Sequence, residues 1–216
     1  MIHLQQDFDL HPASPRTRDA FVALAKDALV PAAERHGARL VAAFFGNQDW
    51  FFRVTHFLEL PSLAAFEIWR ASLRADPVAC DAAKRAEELA PVRREALLES
   101  LGAIPEDALA RGIERAKDKP QGIYTAAHLR IANGRMEDFT KMLGASGPHL
   151  PILASWRPVA GDPDLVIDLW KGDVEQTYAR YAPADDRANA FMDPLREVAP
   201  NERVVRYFPL PYSPLL

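Results

Sequence analysis

The chain has 216 residues and a net charge of −4, with 49% hydrophobic and 26% charged residues. These values exclude a disordered, collagen-like or coiled-coil chain, and they provide no strong positive field for nucleic acid or an anionic membrane. A single cysteine, Cys80, excludes an internal disulfide framework and a Cys-rich zinc site. No stretch reaches the ~18 apolar residues of a membrane span. The opening Met1–Asp7 lacks the basic and apolar regions of a signal peptide, so the expected setting is the cytoplasm.

Residues 2–10 alternate: Ile2, Leu4, Phe8 and Leu10 share one parity, His3, Gln5, Asp7 and Asp9 the other, which predicts a strand with two unlike faces. Ser14-Pro15 reads as an N-cap and first helical residue, followed by a stripe of Phe21, Leu24, Ala25, Ala28, Leu29 and Ala32. Pro31 is expected to kink this helix, and Gly37 to end it. Residues 39–45 and 51–60 read as strands joined by the turn 46–49, and both are apolar on nearly every residue. Pro61-Ser62 opens a helix that Asp76-Pro77 interrupts and that resumes to about Ala90, before a weak strand near 95–102. A charged helix over 105–118 follows. Then the order repeats: strand 123–131, helix 134–145, strands 152–159 and 164–171, helix 173–182 extended to about 198, and strand 203–209.

Both halves therefore read β-α-β-β-α-β. Ile2-His3 falls on Ile123-Tyr124, Arg18-Asp19-Ala20-Phe21 on Met136-Glu137-Asp138-Phe139, and Val54-Thr55-His56-Phe57-Leu58 on Val166-Ile167-Asp168-Leu169-Trp170. This is the ferredoxin-like plan, four antiparallel strands with two helices on one face. The bare sheet face must be buried, most simply against the other half. The expectation is an α+β chain of two ferredoxin-like units packed sheet to sheet as an intrachain pseudo-dimer. The units are 1–104 and 122–216, joined by a connecting helix and linker over 105–121.

At this point the residues resemble a known family. Met1-Ile2-His3-Leu4-Gln5-Gln6-Asp7-Phe8-Asp9-Leu10-His11-Pro12 is similar to the start of NIPSNAP-family domains, in which a tyrosine often stands at the place of His3; Tyr124 supplies it in the second half. His36-Gly37-Ala38-Arg39-Leu40-Val41, Val54-Thr55-His56-Phe57-Leu58 and Asp76-Pro77 also match. The tail Phe208-Pro209-Leu210-Pro211-Tyr212-Ser213-Pro214-Leu215 is the most specific piece, and the first copy lacks its Pro-aromatic-Ser-Pro ending. The resemblance covers most of the chain, in two copies. It implies the dimeric α/β-barrel superfamily, whose relatives include cofactor-free monooxygenases, lactone isomerases, polyketide cyclases and haem enzymes. Fold analogy of this kind does not fix function.

Nucleotide-binding, zinc-protease and serine-hydrolase motifs are absent, and the six histidines show no metal-ligand spacing. His56 shares strand parity with Val54 and Leu58, so an ionisable ring stands on an apolar face, either as an acid–base group or as a structural histidine bonded to a carbonyl. Asp168 sits between Val166 and Trp170, where a carboxylate is either a base for an acidic C–H proton or the partner of an arginine. Tyr124, His3 and His128 lie on first strands. With a shared face, His3 can approach His56 and Tyr124 can approach Asp168. Trp156 and Trp170, on neighbouring strands, and Trp50 are candidate walls of an aromatic ligand cleft, with core packing the alternative. Cys80 reads as an inert small residue, and the charge runs as solvated helix faces.

The expected protein binds a small apolar or aromatic molecule, with no cofactor and no metal, and with neither nucleic acid nor membrane as partner; a homodimer is a further option. Its chemistry would be proton transfer of the isomerase, cyclase or monooxygenase type, with His56, Asp168 and Tyr124 as catalytic groups and His3, His128, Trp50, Trp156 and Trp170 around the ligand. A non-catalytic binding or scaffolding module and a haem-binding relative stay open as alternatives.

Overall fold

The computed structural model describes residues 1–46, 50–173 and 186–216. The expected turn beyond Gly46 and the helix 173–182 beyond Asp173 lie outside the described residues.

In chain order the elements are β1 (Ile2–Asp9), α1 (Pro15–Leu24), a π turn (Ala25–Leu29), α2 (Val30–Arg35), β2 (Arg39–Gly46), β3 (Arg53–Leu60), α3 (Leu63–Ala75), α4 (Pro77–Leu89), β4 (Val92–Ser100), α5 (Ala108–Asp118), β5 (Tyr124–Arg130), α6 (Met136–Ser146), a short 3₁₀ turn (Gly147–His149), β6 (Ile152–Pro158), β7 (Leu165–Lys171), α7 (Asp186–Val198) and β8 (Asn201–Pro209). Local chemistry sets the helix starts. The Ser14 and Ser62 side chains accept from Thr17 N and Ala65 N, and the Asp76 carboxylate accepts from Val78 N and Ala79 N ahead of α4. The kink expected at Pro31 is taken up one turn earlier. Proline lacks the N–H and crowds the carbonyl four residues back, and the wider π turn at 25–29 makes room for it. Gly37 closes the helix with φ +98°, in the left-handed region. The strand expected weakly near 95–102 forms as β4.

Each half arranges its strands as the ferredoxin plan requires, β4-β1-β3-β2 and β8-β5-β7-β6, all antiparallel. The halves meet edge to edge as well as face to face. β2 pairs with β8 (Phe44 opposite Pro209) and β4 pairs with β6 (Ser100 opposite Trp156), so eight strands close one barrel. Closure removes the sheet edges, which are otherwise templates for unwanted pairing.

Three apolar clusters follow. The barrel interior holds Phe44, Phe57, Tyr124, Trp156, Ile167, Leu169 and Tyr207. Phe44 stacks on Tyr207 at 4.9 Å, and Phe57 on Trp156 at 5.2 Å. On the outer faces, α1–α4 cover Leu4, Phe8, Val54 and Leu58 in the first half, and α6 covers Leu129 and Val166 in the second. β2 and β7 are apolar on both parities because one face lines the barrel and the other lies under helices. After Pro209 the chain crosses onto the first half. Leu210 N donates to Ala43 O (2.9 Å), and Ala43 N donates to Ser213 Oγ (2.9 Å).

Trp156 is 1% exposed, stacks on Phe57 and donates its indole N–H to His3 Nδ1 at 3.1 Å. Trp156→Ala is expected to destabilise the fold by about 3–5 kcal/mol, read by urea denaturation. A loss under about 1 kcal/mol would show that the barrel interior is not packed as described.

Candidate functional site

Side-chain parity assigns the chemistry-bearing residues to different compartments. His56 lies opposite Gln6 of β1 and Ala43 of β2 and faces the helices, not the barrel. It is 3% exposed, between the rings of Phe8 (5.3 Å) and Phe21 (6.2 Å). Its Nε2 stands 2.7 Å from Tyr212 Oη, delivered by the C-terminal tail. Either the phenol donates to the ring or the ring N–H donates to the phenol oxygen. Burial lowers the His56 pKa to about 3 and holds the Tyr212 phenol well above its ordinary value, so both groups are neutral near pH 7. His56 also lines a cleft of about 240 Å³ between the sheet and α2, α3 and α4. Phe8, Leu29, Val30, Leu58, Trp69 and Leu73 make its apolar walls, and Gln6, hydrogen-bonded to Glu95 at 2.6 Å, stands at its side.

Asp168 occupies the equivalent place in the second half, opposite Ala127 and Ser155, and is 2% exposed. Burial, chiefly, pushes its carboxyl up to about 7; nearby Glu202 adds to the rise and Ser155 opposes it. Asp168 Oδ1 and Trp170 Nε1 have no hydrogen-bond partner among the described residues. Both residues line a pocket of about 40 Å³ with Leu129, Phe139, Met142 and Leu143.

The expected approaches of His3 to His56 and of Tyr124 to Asp168 do not occur. His3 pairs with Glu59 and Tyr124 with Lys171, an odd number of positions from His56 and Asp168, so they point into the barrel while His56 and Asp168 point out. His3 instead accepts from Trp156, with Nε2 3.7 Å from Glu59. Tyr124 donates its hydroxyl to Leu216 O at 3.1 Å, and burial pushes its pKa up to about 12. Trp156 and Trp170 share no cleft either, for the same reason: Trp156 is in the barrel interior and Trp170 under the helices. His128 and the half-exposed Trp50 lie at one mouth of the barrel, lining a cavity of about 20 Å³ with Asp7, Arg53, Arg203 and Tyr207. Beside it Arg53 donates to Asp9 at 2.7 Å, Arg94 also pairs with Asp9, and Thr55 donates to Asp7 at 2.7 Å.

Tyr212 is the site residue that strand patterns miss. Its signal is the proline-flanked tail, but nothing in the tail says which half it covers. Among the described residues no group of three or more His, Cys, Asp or Glu is arranged to hold a metal ion, and no helix is long and apolar enough to cross a membrane. His56 Nε2 is already engaged by Tyr212, and no histidine lines the second-half pocket among the described residues.

Residues 9–97 match the NIPSNAP family model. The match contains His56 and most of the 240 Å³ cleft, while Tyr212 comes from outside the matched segment. No curated protein matches the sequence. Among solved structures, the chain is similar to a provisionally assigned monooxygenase from Lactobacillus acidophilus NCFM, at 11% identity and a TM-score of 0.58 over 95% of this chain and 92% of that one. An anthrone oxidase-like protein matches at 12% identity and 0.57 over 99% and 93%. Chlorite dismutase from Candidatus Nitrospira defluvii in complex with imidazole matches at 11% identity and 0.52 over 97% and 91%. At such identities the likeness is one of fold: the two halves make a dimeric α/β barrel within one chain.

His56 and Asp168 act on stability with opposite sign. Between 6.5 and about 3 the unfolded chain takes up a proton that buried His56 refuses, so its contribution is lost as pH falls. Between 3.8 and about 7 folded Asp168 keeps a proton that the unfolded chain has released, so its contribution is lost as pH rises. Over the overlap the two slopes offset. His56→Gln is expected to leave stability falling with rising pH, and Asp168→Asn to leave it rising, each by up to about 1.4 kcal/mol per pH unit. Denaturation midpoints from pH 4 to 6.5 read this directly, and parallel profiles for the wild type and both variants would refute it.

Proposed function

We propose that this protein binds a small apolar or aromatic compound in the first-half cleft and moves a proton on it without a cofactor, in the manner of an isomerase, cyclase or monooxygenase. The supporting observation is the buried 2.7 Å contact between His56 and Tyr212 beside a cleft whose walls are Phe8, Leu29, Val30, Leu58, Trp69 and Leu73, with the exposed Arg70, Arg74, Arg93 and Glu95 also lining it. A neutral imidazole held beside a phenol suits a carbonyl or enol. It gives or takes a hydrogen bond without placing a charge in the cleft. With its basicity suppressed by burial, His56 accepts a proton only as an enolate forms beside it, so the two charges arise together as a pair.

Tyr124 has a positioning role in this reading. Its phenol keeps its proton and ties down Leu216 at the end of the tail that carries Tyr212. Asp168 is the second acid–base candidate, in a separate pocket of the other half. The monooxygenase and anthrone oxidase-like neighbours support an enolisable aromatic compound as substrate. The one-cysteine composition supports a cytoplasmic setting. The non-catalytic binding reading is favoured by one observation, the engagement of His56 Nε2 by Tyr212.

A thermal-shift screen of aromatic and polyketide-like compounds is expected to raise Tm. Tyr212→Phe and His56→Gln should each weaken binding about tenfold, the ~1.4 kcal/mol scale of one buried hydrogen bond. Hits are then tested for wash-in of deuterium at an acidic C–H in D2O. Binding without exchange leaves the non-catalytic module, and failure of every compound to shift Tm removes the small-molecule reading.

A further inference from the structure

The two halves can be placed in register beyond their last strands. Leu210 N donates to Ala43 O, and Ala43 lies opposite His56; Leu101 N donates to Ser155 O, and Ser155 lies opposite Asp168. Leu101-Gly102-Ala103-Ile104-Pro105 therefore holds, in the second half, the place that Leu210-Pro211-Tyr212-Ser213-Pro214 holds in the first. Both segments start with leucine and end with proline. Ala103 stands where the other segment has Tyr212.

Tyr212 gives His56 its hydrogen-bond partner. Alanine has no side-chain donor or acceptor, and Asp168 Oδ1 is without a partner among the described residues, as is Trp170 Nε1 two residues along the same face. Asp168 is 2% and Trp170 8% exposed, so bulk solvent barely reaches them. A buried polar group without a partner is costly, and such groups in folded proteins call for a ligand or a water. The pocket that both residues line has apolar walls of Leu129, Phe139, Met142, Leu143 and Leu195, with Ser146 and the ion-paired Arg196 and Glu202 also on its lining, and at about 40 Å³ it has room for about three waters. Met142 and Met192 flank it, and these flexible side chains can yield to a flat ring.

We propose that the second-half pocket is a phenol-binding site, in which a ligand's ring and hydroxyl take the space and the role that Tyr212 fills in the first half. The chemistry of the two orphaned atoms selects this class. A carboxylate oxygen asks for a donor and an indole N–H for an acceptor, and a phenolic hydroxyl is both. An ether or a ketone fails the carboxylate, and an unsubstituted arene fails both. Burial brings the Asp168 carboxyl near neutrality, so its ionised form is available to receive the phenol proton in a charge-assisted bond. The site is independent of the first-half cleft, because Asp168 and His56 lie in different halves.

The test uses p-cresol, the tyrosine side chain as a free molecule, and toluene, the same ring without the hydroxyl. The indole N–H resonances of the ¹⁵N-labelled protein are followed, with Trp170 assigned by loss of its peak in Trp170→Phe. p-Cresol is expected to shift the Trp170 peak, with toluene binding at least tenfold more weakly. Ala103→Tyr should abolish binding by filling the site from within, and should raise Tm. Asp168→Asn should weaken p-cresol about tenfold, which keeps the test decisive if Ala103→Tyr does not fold. Tyr212→Phe should leave this binding intact, which separates the outcome from the first-half reading. A Trp170 peak that p-cresol does not move, equal binding of toluene, or full affinity retained in Asp168→Asn would each overturn the proposal.

Discussion

A four-stranded sheet with helices on one side has an uncovered apolar face and two edges whose backbone groups lack partners. In this chain both are met by the second half of the same molecule. β2 pairs with β8 and β4 with β6, so the barrel that buries the inner faces also closes the edges. The other features follow from that closure. Fixing β8 against β2 directs the residues after Pro209 across the seam and onto the first half, where Ser213 and Leu210 bond Ala43. His56, on the wall of the first-half cleft, thus takes its hydrogen-bond partner from the far end of the chain, and Tyr124, through Leu216, ties that end back to the second half.

The same geometry separates three kinds of buried polar group. Those inside the barrel are largely paired: His3 with Trp156, Asp9 with Arg53 and Arg94, Asp7 with Thr55. Beneath the first-half helices His56 has one partner, a phenol. Beneath the second-half helices Asp168 keeps an oxygen with none among the described residues. Burial answers each titratable group in the direction its chemistry dictates, lowering the histidine and raising the aspartate. The two units thus differ at equivalent positions: an imidazole meets a tyrosine in one half, and a carboxyl oxygen has no partner among the described residues in the other.

This difference between the halves bears on function more than the fold does, since the barrel is shared with proteins at 11–12% identity. The larger cleft lies in the segment that matches the NIPSNAP model, and the pocket with the orphaned groups lies outside it. A chain with two inequivalent pockets can keep one for recognition and refit the other, because the barrel between them is packed by its own aromatic interior and does not depend on either ligand.

By itself the sequence determined the element order, the duplicated β-α-β-β-α-β plan and the helix starts, because caps such as Ser14, Ser62 and Asp76 and the two-residue period of β1 act within a few positions. It also placed His56 and Asp168 on apolar faces, since strand parity is local. Only the tertiary structure decided which apolar face lines the barrel and which lies under helices, because a strand buried on both sides carries no sign of which is which. Hence His3 does not meet His56, nor Tyr124 Asp168, nor Trp156 Trp170: each pair is split between opposite faces. The partner of His56 was likewise beyond local reading: Tyr212 arrives from 156 residues away, and only the closed seam between the halves fixes where that tail can go.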